Sequence, residues 1–256
     1  MALYKVADKS TIAPLFADRQ DTMIWSCLQD CMGEAYADDL AQPQSAAIYV
    51  ADFCYFAGKV NTELIATKPE GYTGQGVLMV PPDSAWQAGI EAVYGERARP
   101  WIRYATKQDM RAFDRRKLAQ LAERLPAGFE LQLIDQRLYE QILALPWAWY
   151  LCGNFASYHQ FAANALGVVI LHGGEPVSGA SAYAFYRGGI EVEIDTREDY
   201  RRRGLATICG AALILKCLER GLYPNWDAHT RESLALAQKL GYVFDREYLC
   251  YGLYPW

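Results

Sequence analysis

Apolar and polar residues alternate from Ile190 to Thr196, with Ile190, Val192 and Ile194 interleaved with Glu191, Glu193 and Asp195. A period of two marks a strand whose three carboxylates point to one face. From Thr207 to Arg220 the pattern changes. Ile208, Cys209, Ala212, Leu215 and Leu218 make this run apolar nearly all round, which predicts a central, largely enclosed helix. Downstream, Tyr223 to Ala228 reads as an apolar strand, Thr230 to Leu240 as a helix, and further strands start at Val243 and Tyr248. Upstream, Phe129 to Ile134 alternates like a strand, and Gln136 to Leu145 reads as a short helix stopped by Pro146. Val168 to Leu171 and Val177 to Tyr186 then flank His172-Gly-Gly-Glu-Pro176, a loop of hairpin residues, and Arg187-Gly-Gly189 turns into the acidic strand.

The first half carries a related order. Thr22 to Met32 reads as helical, and Ala46 to Val50 with Phe53 to Ala57 as a hairpin. Val77 to Val80 is strand-like, Ser84 to Tyr94 helical after Pro81-Pro-Asp83, Trp101 to Ala105 strand-like, and Met110 to Arg124 helical. A boundary near Leu125-Pro-Ala-Gly128 divides the chain into 1–125 and 126–256. The fold class is α/β of the α+β type in the second half, with an α/β first half.

Chemistry concentrates between the acidic strand and the enclosed helix, at Arg201-Arg-Arg-Gly-Leu-Ala206. The first N–H groups of a helix have no partner inside it, and the macrodipole adds partial positive charge there. Gly204 lets a ligand approach the backbone closely, and Arg201, Arg202 and Arg203 place cations beside it. A diphosphate suits this chemistry best.

These residues resemble the GNAT superfamily of acyl-CoA-dependent N-acyltransferases, whose signature is Gln/Arg-x-x-Gly-x-Gly/Ala after a strand. Arg201, Gly204 and Ala206 fill its three places, and Tyr200 precedes them. Further on, Thr230-x-x-Ser233 and Lys239-Leu-Gly-Tyr242 stand where members commonly read Asn-x-x-Ala and Lys-x-Gly-Phe. The likeness covers roughly 126–256. It extends to a subfamily with resistance proteins acetylating zwittermicin A, in which a pair like Trp226-Asp227 recurs.

The resemblance implies a mixed twisted sheet with helices on both faces. It also implies acetyl-CoA as acyl donor, with the amides of Arg201, Arg202, Arg203, Gly204, Leu205, Ala206 and Thr207 on its pyrophosphate. Backbone groups of Ile194, Asp195 and Thr196 would hold the pantetheine arm where the strand splays from its neighbour at Tyr223, and Thr230 and Ser233 would lie against the cofactor. Glu191 is the first candidate for the base that deprotonates an amine, and Glu193 the second; a solvated strand face is the alternative for both. Ala237 stands where many members carry a Tyr that protonates the leaving thiolate, a role open to Tyr242, Tyr248, Ser233 or water. The first half reads as a degenerate GNAT-like repeat with Pro81 to Gln87 in the phosphate-loop place. It lacks the motif and is not expected to bind CoA. Trp147 to Phe161 supplies aromatics either to the core or to an acceptor pocket. His172 reads as solvated in its loop, and His229 lies near the cofactor arm.

Composition narrows the partners. A net charge of −5 argues against general nucleic-acid binding. The seven cysteines are scattered, with no Cys-x-x-Cys pair and no zinc spacing, so a reducing cytoplasm and no metal are expected. No apolar run is long enough to span a bilayer, and the N-terminus lacks a signal-peptide pattern. Oligomeric state stays open between monomer and homodimer. The leading expectation is an acetyltransferase acting on a small-molecule amine by direct attack in a ternary complex. The alternative, motivated by Ala237, is a catalytically weak acyl-CoA-binding or sensing module.

Overall fold

The computed structural model describes residues 3–256. Two compact units divide the chain: Met1–Arg103 with Glu247–Trp256, and Tyr104–Arg246.

The first unit contains β1 (Tyr4–Lys5), α1 (Thr22–Leu28), β2 (Glu34–Ala37), β3 (Ser45–Val50), β4 (Phe53–Gly58), α2 (Thr62–Ala66), β5 (Val77–Val80), α3 (Ser84–Tyr94) and most of β6 (Arg99–Thr106). Almost every residue of β3, β4 and β5 is buried, which is why these runs read as continuous apolar stretches. β2, β3 and β4 are antiparallel, and β5 returns parallel to β4. Asp83 starts α3 by accepting the N–H groups of Ala85 and Trp86. The helix then stacks Trp86 on Phe56 at 4.8 Å.

The second unit holds α4 (Arg115–Ala122), β7 (Phe129–Leu133), α5 (Gln136–Leu143), α6 (Tyr158–Asn164), β8 (Gly167–His172), β9 (Glu175–Tyr186) and β10 (Gly189–Thr196). After these come α7 (Leu205–Glu219), β11 (Tyr223–Asn225), β12 (Asp227–Ala228), α8 (Arg231–Leu240) and the start of β13 (Phe244–Leu253). Its sheet runs β11-β10-β9-β8-β7. β8, β9 and β10 are antiparallel, α7 packs on all three, and β11 returns parallel to β10. Ala211, Ile214 and Leu218 of α7 share a core with Leu118, Leu121, Trp226, Leu240 and Tyr242.

Three antiparallel strands, a helix and a parallel return therefore occur in each unit. One placement differs from the sequence reading. Pro81 to Gln87 follows the parallel strand β5, whereas the position matching the loop before α7 is Lys59–Asn61, ahead of the five-residue α2. There the Asn61 side chain already accepts the N–H groups of Glu63 and Leu64.

The C-terminal strands also differ. The predicted strands from Val243 and Tyr248 form one strand, β13, whose Tyr251, Gly252 and Leu253 pair with Met79, Leu78 and Val77 of β5. The reason is burial: Cys250–Leu253 and Val77–Val80 are two fully buried, apolar segments that satisfy each other's backbone groups. In the first unit β13 lies between β5 and β6.

Candidate active site

The loop before α7 has the form its residues predict. Gly204 is the N-cap in the left-handed region, at φ +81°, and no side chain caps the helix. A Cβ at Gly204 would meet nothing within 4 Å, so glycine is required there by backbone conformation and not by crowding inside the protein. Arg202 is also left-handed, at φ +64°.

Two of the three arginines hold the loop. Arg201 Nε donates to Thr196 O at 3.1 Å, with its guanidinium 4.0 Å from Asp195. Arg203 donates to Asp199 O at 2.9 Å. The guanidiniums of Arg197 and Arg203 lie over the Tyr200 ring, at 4.5 and 4.7 Å. The Tyr200 hydroxyl meets His172 Nδ1 at 2.8 Å, and His172 stacks on Phe129 at 4.5 Å. His172 is thus exposed but engaged, where its loop position suggested plain solvation. Tyr200 ties the loop to the β7–β8 side of the sheet.

The sheet opens along β10 beyond Glu191. Gly189, Ile190 and Glu191 pair with Tyr223, Pro224 and Asn225, and the parallel ladder stops there. The predicted strand Tyr223–Ala228 is broken at Trp226. Its second part, β12, pairs instead with Tyr104 and Ala105 of β6. Trp226 is buried in the core and forms the wedge. Its carbonyl accepts from Thr106 Oγ1 at 2.7 Å and its indole N–H donates to Ser233 Oγ at 3.1 Å.

On the β9 side, Ala184 stands opposite Glu191 and Ala182 opposite Val192, so β9 carries one more residue, Tyr183, across this step. Such bulges re-aim side chains where a sheet is used for chemistry. Glu191 is buried, and Glu193 and Asp195 are half-buried. A carboxylate oxygen of Glu191 accepts from Asn225 Nδ2 at 2.7 Å. Burial pushes the Asp195 carboxyl above its ordinary range, against the Thr196 N–H and the Arg201 charge.

Residues 13–251 match the GNAT acetyltransferase family. The chain belongs to that family. It is similar to a GCN5-related N-acetyltransferase-like protein from Streptococcus suis 89/1591, whose crystal structure has 47% identity and a TM-score of 0.90, covering 95% of this chain and 97% of that one. It is 29% identical over 253 residues, 94% of each chain, to the uncharacterized N-acetyltransferase YdfB of Bacillus subtilis (strain 168). A tandem GNAT protein from the clavulanic acid biosynthesis pathway shares the fold, with a TM-score of 0.56 at 12% identity over 100% of this chain and 99% of that one. The mixed α/β architecture is that of a GNAT acetyltransferase, and the family's reaction is acyl-CoA-dependent acyl transfer.

Within this GNAT chain the remaining predicted residues have defined places. Ile194 is half-buried beyond the point where β10 and β11 part. The Thr196 N–H is donated to Asp195 Oδ1 at 2.7 Å and its hydroxyl meets Ser178 Oγ at 2.7 Å. Leu205 and Thr207 are buried at the start of α7 with Ala206 between them. Thr230 is the N-cap of α8, accepting from Ser233 N at 3.2 Å. Ala237 is fully buried in the core. Tyr242 is buried and donates to Pro224 O at 2.6 Å, and burial raises its hydroxyl well above the ordinary range, so it is a poor acid for a leaving thiolate.

The aromatic run divides. Phe155 and Phe161 are core, whereas Trp149 and Tyr150 are exposed, with Tyr150 stacked on Tyr183 at 6.0 Å. Sequence reasoning missed Tyr183, Tyr200's anchoring role and Asn225. The signal for Asn225 was present: a polar amide between Pro224 and Trp226 in an apolar strand needs a buried partner. Among the described residues no cluster of three or more His, Cys, Asp or Glu is arranged to hold a metal, and no helix is long and apolar enough to cross a membrane.

Proposed function

We propose that this GNAT acetyltransferase transfers an acetyl group from acetyl-CoA to an amine of a small molecule by direct attack in a ternary complex. The observation that carries the reading is the pairing of two features on one strand. β10 begins with a buried carboxylate where its parallel partner departs, and leads at its other end to an uncapped helix N-terminus flanked by arginines. The amides of 202–206 and the exposed Arg202 suit a diphosphate, while the Arg201 and Thr207 N–H groups are donated to Glu198 O and Gly204 O. The edge of β10 from Val192 to Asp195, which β11 leaves, suits the pantetheine arm, with Thr230 and Ser233 at the start of α8.

Glu191 takes a proton from the acceptor ammonium, with Glu193 the second candidate. The neutral amine forms the N–C bond, the C–S bond breaks, and the nitrogen's second proton passes through water to the departing thiolate of coenzyme A. Burial pushes the thiols of Cys27, Cys152, Cys209 and Cys217 up to about 12, which favours direct attack over an acyl-cysteine intermediate. Trp149 and Tyr150, beside the bulge at Tyr183, suit a wall of the acceptor pocket. The Trp226-Asp227 likeness to zwittermicin A resistance proteins makes amine-bearing antibiotics the first acceptors to test. Seven cysteines, with no disulfide among the described residues, fit a cytoplasmic setting.

A second reading, an acyl-CoA sensor, rests on the buried Ala237 and the committed Tyr242 hydroxyl. A thiol-release screen against amines separates the two, because a sensor binds CoA and releases no thiol with any acceptor. In the same assay Glu191→Gln is expected to lose about 10²-fold or more in kcat while calorimetry shows CoA affinity retained. An unchanged pH–rate profile in this variant removes Glu191 from the mechanism.

A further inference from the structure

Asn225 has a side chain that the reading of the site so far leaves unused. It lies on β11 at the last register pair before the sheet opens, directly opposite Glu191. It is 7% exposed, as is Glu191. Its Nδ2 donates to a Glu191 carboxylate oxygen at 2.7 Å, a charge-assisted hydrogen bond in a water-poor setting. Its other polar atom, Oδ1, is buried with no hydrogen-bond partner, one of two such side-chain atoms among the described residues. An orphaned buried acceptor costs free energy, so its retention calls for a reason.

We propose that Asn225 is a positioning residue for Glu191: its amide N–H holds and aims the carboxylate, and its spare Oδ1 receives the Glu191 O–H once the proton has moved. An amide carries a donor and an acceptor at one end, and a half-turn about its Cβ–Cγ bond exchanges them. With Glu191 ionised, Nδ2–H faces the carboxylate. When the acceptor's N–H bond breaks and the Glu191 O–H bond forms, the carboxylic acid becomes a donor and needs an acceptor in the same place. Asn225 serves both states of a base that must cycle between them. A carboxylate in its place serves only the protonated state, and an aliphatic residue serves neither.

Four buried titratable groups on the surrounding elements do not compete for this role. Tyr186 on β9, Tyr223 on β11, Tyr242 after α8 and Cys217 on α7 are all held up by burial, Tyr223 and Cys217 to about 12. Each stays neutral through the pH range in which a carboxylate titrates. The Tyr186, Tyr223 and Tyr242 hydroxyls also donate to backbone carbonyls, of Tyr223, Lys107 and Pro224 respectively.

The proposal rests on Glu191 as the base, but its test needs no acceptor. Full-length protein labelled with ¹³C at glutamate Cδ is titrated by NMR, and the Glu191 resonance is assigned as the one lost in Glu191→Gln. In Asn225→Leu its midpoint is expected to rise by about one to two pH units, the worth of one hydrogen bond to a charge. Asn225→Asp is expected to give two coupled steps with the upper one raised further. In the parent, the Asn225 side-chain amide protons should shift with the Glu191 midpoint, a readout that needs no destabilising variant. A flat Asn225 amide, or a Glu191 midpoint within experimental error of the parent in folded variants, overturns the proposal. Turnover of Glu191→Gln is measured in parallel. If that variant keeps parental turnover, the base assignment fails, while the titrations still report whether the two side chains are coupled.

Discussion

Gly204→Glu tests the diphosphate loop most directly. Gly204 is exposed, sits at φ +81°, and has open space where a Cβ would go. Any L side chain there carries about 1–2 kcal/mol of left-handed strain, which for a chain of this size lowers Tm by about 2–8 °C and leaves it folded. The added carboxylate stands where a doubly charged diphosphate would approach the amides. At about 6 Å, each like-charge pair costs about 0.7 kcal/mol in bulk water and about 3 kcal/mol at an effective dielectric of 20. Exposure puts the site toward the watery limit, so about 1.4–3 kcal/mol is expected in all, a loss of roughly 10- to 100-fold in CoA affinity. Gly204→Ala carries the same strain without the charge and separates the two effects. Calorimetry with CoA and with S-acetylpantetheine, which has no diphosphate, gives the answer. The Glu variant should lose affinity for CoA only, and rising salt should narrow its gap from the Ala variant. Parental CoA affinity in the Glu variant, or equal losses for both ligands, refutes the assignment of this loop.

Two further outcomes follow from neighbouring residues. Tyr200→Ala removes the ring beneath two guanidiniums and should raise KM for the acyl donor about 5- to 30-fold with kcat closer to parental, whereas Tyr200→Phe keeps the ring and should lie nearer the parent; equal effects of the two would show that the hydroxyl bond to His172 dominates. Asp195 has its folded-state carboxyl raised by burial, so the folded protein binds that proton more readily than the unfolded chain and ionisation of Asp195 opposes folding. Asp195→Asn should therefore melt higher than the parent near neutral pH, with the gap closing as pH falls from the raised folded value toward the unfolded one; a variant that melts lower at neutral pH contradicts this.

Much of the second unit was legible because local and global preferences agree there. The alternation of Ile190–Thr196, the glycine at 204 and the all-round apolar helix each specify one conformation, and β10 and α7 follow within two residues. Boundaries moved where a capping side chain outcompeted helix propensity. Met110–Arg124 reads as one helix, yet Asp114 accepts the N–H groups of Arg116 and Lys117, and α4 begins only at Arg115. What could not be read was pairing over long separations. Tyr223–Ala228 has one pattern and two partners, because the buried Trp226 directs Asp227 and Ala228 to β6. The Asn225–Glu191 hydrogen bond depends on a register that neither segment specifies alone. The bulge at Tyr183 is equally silent in sequence, since it is a mismatch between two strands and not a property of either.

The place of β13 makes the second unit an insertion within the first. The strand between β5 and β6 comes from the last residues of the chain, where Tyr251 donates to Glu91 at 2.5 Å and the Trp256 N–H bonds Gln75 O at 3.1 Å. During synthesis the first unit emerges early but lacks the strand between β5 and β6 until residues 251–253 are made, so Val77–Val80 waits as an apolar edge through the making of some 170 intervening residues. Loss of residues 247–256 would accordingly remove a strand from the unit that residues 1–103 begin. The order of birth and the order of completion are reversed: the unit begun first is finished last.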